Sequence, residues 1–431
     1  MKTRLINWTE RLRSSQWVMP VLLSIGALGL AQIALQVDLW NQKTGQPLPW
    51  PIYAGNAAGA RQLLGTLAGS MVSLTTITFS VTMIVLTLAA NQFGPRILRN
   101  FLRDRFNQGV LGIFVATFLY CVVVLGQLPG DAEGAGVPRL AVTLAVAATI
   151  GCLIALLGFV HHTARSIQTS HVVQTAAGQL RANLETLYPA TAQPRAEPSA
   201  EVETPAPAAP VREIAATDSG YLQAVDNDGI VAWAAERDTI VQIFVRPGGF
   251  ITAGDQLATL GAAPGESESD EEIAKTVRGW FILGAERTGE QDTHYGFRQL
   301  VEIAVRALSP GINDPFTAIN AIDHLGVSLA RLADQAPRST FSLDENGQLR
   351  LIAPTEDFPS IARATFDPLR FYGRGHPLVI AQLARLLDTL TSRLIREKDR
   401  AWLRDARRDL RDVVGDLPDD TDRQRLLALL D

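Results

Sequence analysis

The sequence predicts an α-helical integral membrane protein with four transmembrane helices and a cytoplasmic tail of mixed α and β structure. Residues 1–160 contain long apolar runs, whereas residues 161–431 are rich in Arg, Asp and Glu. The whole chain is 47% hydrophobic and only 19% charged, and the charged fraction is low for a soluble protein. The basic residues of the first part are also concentrated in alternate loops, as in multi-pass membrane proteins.

Four apolar runs are long enough to cross a bilayer, because about 18 apolar residues suffice for a transmembrane helix. The first run follows basic residues, as in a signal peptide, but it contains Met19-Pro20 and ends without a clear small-residue cleavage site. We therefore expect it to remain as a membrane anchor. The four predicted transmembrane helices cover residues 17–37, 64–90, 109–128 and 139–160.

Lysine and arginine residues predict the orientation of these helices. The loop between the first and second runs contains only Lys43 and Arg61. Cytoplasmic loops carry the excess of Lys and Arg, so the N-terminus, the 91–107 loop and the tail after residue 160 are predicted to be cytoplasmic. The basic residues that decide this are Lys2, Arg4, Arg11 and Arg13 before the first run, and Arg96, Arg99, Arg103 and Arg105 after the second.

The second run carries hydroxyl groups on one helical face. Small and hydroxyl residues permit close helix packing in lipid, but they can also line an aqueous pore, or bond to carbonyl groups of their own helix. Apart from Arg139 at the start of the fourth run, no Asp, Glu, Lys or Arg lies inside the predicted spans, which argues against a proton relay or an ion-coupled pump. The candidate pore-lining residues are Thr66, Ser73, Thr76, Ser80 and Thr87, with Gly69 and Met83 on the same face.

Three arginines recur at steps of three and four after the helix-stop signal Gly94-Pro95. They are Arg96, Arg99 and Arg103. One interpretation is an interfacial amphipathic helix whose arginines reach anionic lipid. The other is a ring of positive charge at the inner mouth of an oligomeric pore, which would favour anions.

The tail divides into segments of different composition. His161, His162 and His171 have no acidic or cysteine partner in the pattern, so the sequence predicts no metal site. Residues 188–211 are rich in Pro, Ala and Glu, as in a linker. The predicted domains are a transmembrane domain of residues 1–160, a helical extension of 161–187, the linker, a small β-module of 212–262 and a helical cytoplasmic domain of 272–431.

The β-module contains short β-prone runs punctuated by Gly and Pro, which predict a small antiparallel barrel or sandwich. The segment RPGGFITAGDQL, residues 246–257, resembles the second half of a biotinyl or lipoyl hammerhead domain. Such domains carry their cofactor on a lysine, and residues 218–260 contain none. We therefore expect the fold without a cofactor.

An interhelical elbow, SPGINDPFT, spans residues 309–317. Pro310-Gly311 ends the preceding helix, while Asp314 is a good N-cap and Pro315 a good first residue for the next helix. The pattern fits a tight structural elbow. A second interpretation is a ligand or partner contact at Asn313 and Asp314, because a helix N-terminus attracts anions.

A family resemblance rests on four segments: NQFGPRILRNFLRD (91–104), SGYLQAVD (219–226), RPGGF (246–250) and FRQLVEIAVRALSPGINDPFTA (297–318). Together they resemble the bacterial membrane-protein family known as domain of unknown function 2254. The resemblance extends over nearly the whole chain. It implies a multi-pass protein of the bacterial inner (cytoplasmic) membrane and carries no agreed activity.

These patterns lead to two functional hypotheses. The first is a homo-oligomeric passive channel, anion-preferring if the arginines ring its mouth, with a cytoplasmic vestibule or gating domain. The alternative is a non-conducting membrane-anchored sensor or scaffold whose tail binds a partner. No enzyme motif is present, and a net charge of −5 gives no nucleic-acid footprint. The expected partners are the lipid bilayer, further copies of the chain and small ions.

Overall fold

The part of the chain that the computed structural model describes comprises residues 17–44, 53–93, 104–128, 136–188, 211–261, 269–335 and 338–430. These residues form thirteen helices and eight strands. The chain divides into two units, Met1–Gln168 and Thr169–Asp431. The first contains the apolar helices, and the second contains all eight strands together with the remaining helices.

The first unit consists of four helices that are long and apolar enough to cross a bilayer. The prediction of four such helices is therefore confirmed in length and composition. The second helix is longer than predicted, since 37 residues at 1.5 Å each extend about 55 Å. The helices are α1 (Val18–Thr44), α2 (Ala57–Phe93), α3 (Arg105–Gly126) and α4 (Arg139–Ser166).

Helix α3 packs against all three other helices of the first unit. Its closest approach to α1 occurs at Gly112, where a Cβ atom would lie 2.7 Å from Leu23 Cδ1 and 3.0 Å from Pro20 Cα. The Tyr120 hydroxyl group donates a hydrogen bond of 3.0 Å to the Ala141 carbonyl oxygen of α4. A small residue and interhelical hydrogen bonds thus accompany the packing of α3 against its neighbours, as is common in membranes.

Asp38 lies inside α1, because this helix extends beyond residue 37, where the sequence analysis ended the first span. Its side chain is buried, with 4% of the residue exposed. The two carboxylate oxygens accept hydrogen bonds of 2.9 Å from the backbone amides of Leu140 and Ala141. Asp38 therefore caps α4, whose own N-cap residue, Pro138, makes no side-chain hydrogen bond.

The strands of the second unit form two sheets around a shared hydrophobic core. The five-stranded sheet has the order β1-β5-β3-β8-β7 and the three-stranded sheet the order β4-β2-β6. Both sheets are open, so the described strands form no closed barrel. The strands are β1 (Val211–Ala215), β2 (Gly220–Val225), β3 (Val241–Ile243), β4 (Phe250–Ile251), β5 (Gln256–Gly261), β6 (Phe281–Gly284), β7 (Phe341–Leu343) and β8 (Leu349–Ile352).

The sheets extend beyond the predicted β-module of residues 212–262, because β6, β7 and β8 come from later in the chain. Strands β3 and β8 are parallel, so the larger sheet is mixed. The sequence had predicted an antiparallel arrangement. Val241 of β3 pairs with Leu351 of β8, although the two residues are more than a hundred positions apart in the chain. Local alternation of apolar residues contains no information about such a distant partner.

In the second unit, the helix Thr169–Leu187 packs against the helices Thr293–Ala307 and Pro315–Ala333. The helical extension predicted for residues 161–187 is interrupted, since α4 ends at Ser166 and α5 begins at Thr169. The helices are α5 (Thr169–Leu187), α6 (Asn227–Glu236), α7 (Asp270–Arg278), α8 (Thr293–Ala307), α9 (Pro315–Ala333), α10 (Phe358–Tyr372), α11 (Pro377–Thr391), α12 (Glu397–Gly415) and α13 (Asp420–Leu427).

Replacing Asp38 by Ala should lower the free energy of unfolding by about 0.5–2 kcal/mol, the usual effect of losing an N-cap. The reason is that two amides of α4 lose their acceptor in an apolar environment. Unfolding of the purified protein by SDS, followed by circular dichroism, measures the change. Asp38→Asn retains one acceptor oxygen and should recover part of the loss. An Ala variant as stable as the wild type would show that the cap is dispensable.

Candidate functional site

The hydroxyl face of α2, defined as Thr66, Ser73, Thr76, Ser80 and Thr87, lies on the outside of the first unit. All five residues are exposed. The opposite side of the helix is buried against α3 and α4. With 3.6 residues per turn, the two sides are about half a turn apart. The buried stripe comprises Ala60, Leu64, Ala68, Met71, Thr78, Val85 and Ala89.

Each hydroxyl group of this face donates to the carbonyl oxygen four residues earlier in the same helix. The donor–acceptor distances are 2.9 Å for Thr66, 3.3 Å for Ser73, 2.9 Å for Thr76, 2.8 Å for Ser80 and 2.9 Å for Thr87. This is the back-bonding alternative of the sequence analysis. It satisfies every donor locally, while the hydroxyl oxygens keep the capacity to accept from water or from another chain.

The inner-mouth arginines Arg96, Arg99 and Arg103 lie outside the described residues. The structure describes the start of α3 directly after them. Asp104 caps this helix by accepting a 2.9 Å hydrogen bond from the Phe106 amide. Its second oxygen lies 2.5 Å from His162 Nε2. The sequence analysis found no acidic partner for His162, and Asp104 supplies one because α3 and α4 pack together.

The two other histidines of the sequence pattern, His161 and His171, are exposed. Within the described ranges, no group of three or more His, Cys, Asp or Glu side chains could hold a metal ion. The His162–Asp104 pair has an aromatic neighbour instead, since the Phe106 ring centroid lies 4.7 Å from that of His162. The pair joins the start of α3 to the end of α4.

The elbow between α8 and α9 is a tightly bonded turn. Asn313 adopts the left-handed conformation, with φ of 51°. The Asp314 carboxylate accepts from the Thr317 amide at 3.1 Å and from the Thr317 hydroxyl group at 2.5 Å. Two apolar side chains of the same segment are exposed, Ile312 at 41% and Phe316 at 72%. The turn therefore has a structural role and also presents an apolar surface.

A polar cluster of the second unit, which the sequence did not predict, contains the half-exposed Arg246 together with Arg287, Asp292, His294 and Glu356. Glu356 Oε2 accepts from Arg246 Nη1 at 3.0 Å and lies 2.7 Å from His294 Nε2. Asp292 Oδ2 accepts from Arg287 Nε at 2.9 Å. The five residues come from three separate segments, and only the RPGG turn that contains Arg246 gives a local signal in the sequence.

The RPGG turn covers the Arg287–Asp292 pair of this cluster. Gly248 has a φ of 88°, which favours glycine. A Cβ atom at this position would also collide with the Asp292 carboxylate and the Arg287 guanidinium. The glycine thus permits close packing of the turn over an ion pair.

The two carboxyl groups of the cluster have opposite pKa shifts. Burial raises the pKa of Asp292, and the nearby Arg287 charge only partly offsets that effect. Burial also acts to raise the pKa of Glu356, but the contact with His294 and the charges of His294 and Arg246 lower it below its ordinary value. Glu356 is therefore held as a carboxylate by its partners.

Four helices long and apolar enough to cross a bilayer, together with a separate α+β unit, are the features of a predicted membrane protein. The chain belongs to the family described as "Predicted membrane protein (DUF2254)", whose profile matches residues 13–389. The family resemblance of the sequence is thereby confirmed.

Two relatives support this assignment. The chain is 33% identical over 393 residues to "Uncharacterized protein MT1328" of Mycobacterium tuberculosis (strain CDC 1551 / Oshkosh). It has the same identity over the same length to "Uncharacterized protein Mb1321c" of Mycobacterium bovis (strain ATCC BAA-935 / AF2122/97). Each alignment covers 90% of this chain and 73% of the relative. No solved structure is significantly similar to the chain.

Replacing Asp314 by Ala should lower the free energy of unfolding by about 0.5–2 kcal/mol, because the first turn of α9 loses its cap. Chemical denaturation of the purified protein measures this. Asp314→Ser should largely restore stability, since Ser also caps well. Asn313→Gly, which keeps access to positive φ, is the matched control for general disruption of the elbow. A Ser variant that stays as unstable as the Ala variant would show that the elbow needs the carboxylate itself, with its bonds to the Thr317 amide and hydroxyl groups.

Proposed function

We propose that the protein is a homo-oligomeric passive channel in which the hydroxyl face of α2 lines the pore. The observation that carries this proposal is that α2 packs one side against its own unit and leaves the hydroxyl side exposed. A ring of copies with this face toward a common axis would enclose a path lined by hydroxyl groups. The four helices of one copy are too few to surround a wide pore.

The chemistry of the face suits a neutral pore. Its hydroxyl donors are engaged within the helix, and the remaining lone pairs can accept hydrogen bonds from water. No charged side chain lies between Thr66 and Thr87, so the lining contains no binding group that would hold an ion tightly. Selectivity would then depend on the mouth, where Arg96, Arg99 and Arg103 favour anions.

The proposed location is the bacterial inner membrane, with the N-terminus and the second unit in the cytoplasm. This orientation rests on the excess of Lys and Arg before α1 and between α2 and α3. In this arrangement the second unit forms the vestibule or gate of the channel.

A second candidate function is a non-conducting sensor or scaffold. The exposed Ile312 and Phe316 at the elbow favour it, because apolar side chains in a rigid turn suit a protein contact. The two candidates differ in whether the purified protein carries current.

Single cysteines at Ser73, Thr76, Ser80 and Thr87 should react with a water-soluble thiol reagent when the protein is in membranes. They would face the aqueous pore, whereas cysteines at the buried Val85 or the lipid-exposed Phe79 should not react. Cys121 and Cys152 are buried, so their background labelling should be low. An oligomer that labels at none of the four positions would end the pore assignment and leave the scaffold.

Ser80→Leu should abolish the conductance measured in a planar bilayer, because a large apolar side chain would narrow and dry the pore. Phe79→Leu, on the edge of the exposed surface, is the matched control and should conduct normally. Equal currents from both variants would contradict the proposed lining. A wild-type oligomer without any current would favour the scaffold.

Orientation can be tested with cysteines at Ala135 and Ala206, one in the α3–α4 loop and one in the linker. An impermeant thiol reagent added outside intact cells should label Ala135→Cys and leave Ala206→Cys unmodified until the cells are opened. The reverse pattern would place the second unit outside the cell.

A further inference from the structure

A cleft opens in the second unit where four helices end or begin. Tyr188 follows α5, Gln335 follows α9, Phe358 starts α10 and Lys398 lies in the first turn of α12, and all four residues line the cleft. Its volume is about 320 Å³. Small-molecule sites typically have volumes of about 300–1,000 Å³, so the cleft can hold a compact ligand.

The lining residue Tyr188 and its neighbour Thr293 both carry buried hydroxyl groups. Tyr188 is only 6% exposed and Thr293 only 3%. The Tyr188 hydroxyl group lies near Thr293 and Glu356. Neither the Tyr188 nor the Thr293 hydroxyl oxygen has a hydrogen-bond partner of ordinary geometry within the described part of the chain. Buried polar groups are nearly always satisfied by protein, water or ligand.

Unpartnered buried polar groups also recur in the segment that leads into α8. Eight buried side-chain polar atoms of the second unit have no partner among the residues described, and four of them belong to Tyr188, Thr288, Asp292 and Thr293. Asp292 Oδ1 is the carboxylate oxygen that its ion pair with Arg287 leaves unused.

Carboxylates outnumber cations in the lining of the cleft, and each carboxylate has a basic partner. Four carboxylates line it, those of Glu356, Asp357, Glu397 and Asp399, against the two cations Arg396 and Lys398. Lys398 pairs with Asp357, Arg396 with Asp399, and Glu397 with Arg404 from α12. Glu356 is paired with Arg246 and His294, and Arg338 lies near Tyr188.

We propose that this cleft binds a small organic cation whose primary ammonium group donates hydrogen bonds to Tyr188, Thr293 and Glu356. An ammonium group has three donors and no acceptor, which matches three acceptors at the inner end of the cleft. The hydrocarbon part of the ligand would contact Leu332 and Phe358, the apolar lining. The inference does not depend on whether the protein conducts.

The test uses the full-length protein in detergent and three ligands with the same four-carbon chain. They are 1,4-diaminobutane, 1,4-butanediol and succinate, which are cationic, neutral and anionic. Isothermal titration calorimetry should show saturable binding of the diamine, at least tenfold tighter than that of the diol, and no binding of succinate. Equal affinity for the diol would overturn the cation assignment. No binding of the diamine would overturn the site and assign the unsatisfied groups to internal water.

Two variants locate the binding. Tyr188→Phe removes one hydroxyl group and should weaken diamine binding at least tenfold. Without ligand its unfolding temperature should stay equal to the wild type or rise, because the lost group is a buried hydroxyl without a good partner. Unchanged binding by this variant would overturn the proposal. A large fall in unfolding temperature would also overturn it, because the hydroxyl group would then have a structural partner.

Glu356→Gln should also weaken diamine binding, since it removes the charge that faces the ammonium group. Glu345→Gln is the matched control, because this substitution removes the same charge from an exposed residue in the β7–β8 turn. Binding that is weakened equally by both variants would indicate general electrostatics and overturn the assignment to the cleft.

Discussion

The backbone amides at the start of α4 need acceptors inside an apolar environment, and the Asp38 carboxylate supplies them. Water is absent from the interior of a bilayer, so polar groups there must be satisfied within the protein. The same constraint explains α2, where each hydroxyl group of the outer face bonds to its own helix. It also explains the Tyr120 hydrogen bond to α4. The packing of the first unit therefore follows from hydrogen bonding as much as from apolar contact.

The asymmetry of α2 links this unit to its proposed function. Its small and apolar residues, such as Ala60, Ala68 and Ala89, are buried within one copy, while the hydroxyl face is exposed. Because the hydroxyl donors are already satisfied, the face tolerates lipid, a neighbouring copy or water. In a pore, the hydroxyl oxygens of this face would accept hydrogen bonds from water along the whole length of the helix. This is why the channel is the leading proposal.

The second unit concentrates its polar groups where distant segments meet. The RPGG turn covers the Arg287–Asp292 pair, and Arg246 from the same turn reaches Glu356 at the start of α10. The neighbouring cleft extends this network through Tyr188 and Glu356. A buried network that leaves hydroxyl and carboxylate oxygens unsatisfied is unstable unless something completes it. Ligand binding at the cleft would provide that completion.

The sequence by itself determined the four apolar helices, the elbow cap at Asp314 and the mixed composition of the second unit, since each depends on residues close together in the chain. The periodicity of α2 also revealed its hydroxyl face. Only the tertiary structure decided that this face points away from the other helices, because periodicity defines two sides without saying which one is packed. It likewise decided the caps and pairs that join distant residues, such as Asp38 with α4, Asp104 with His162 and β3 with β8. These contacts, like the polar cluster around Glu356, form only when the folded backbone brings the separate segments together.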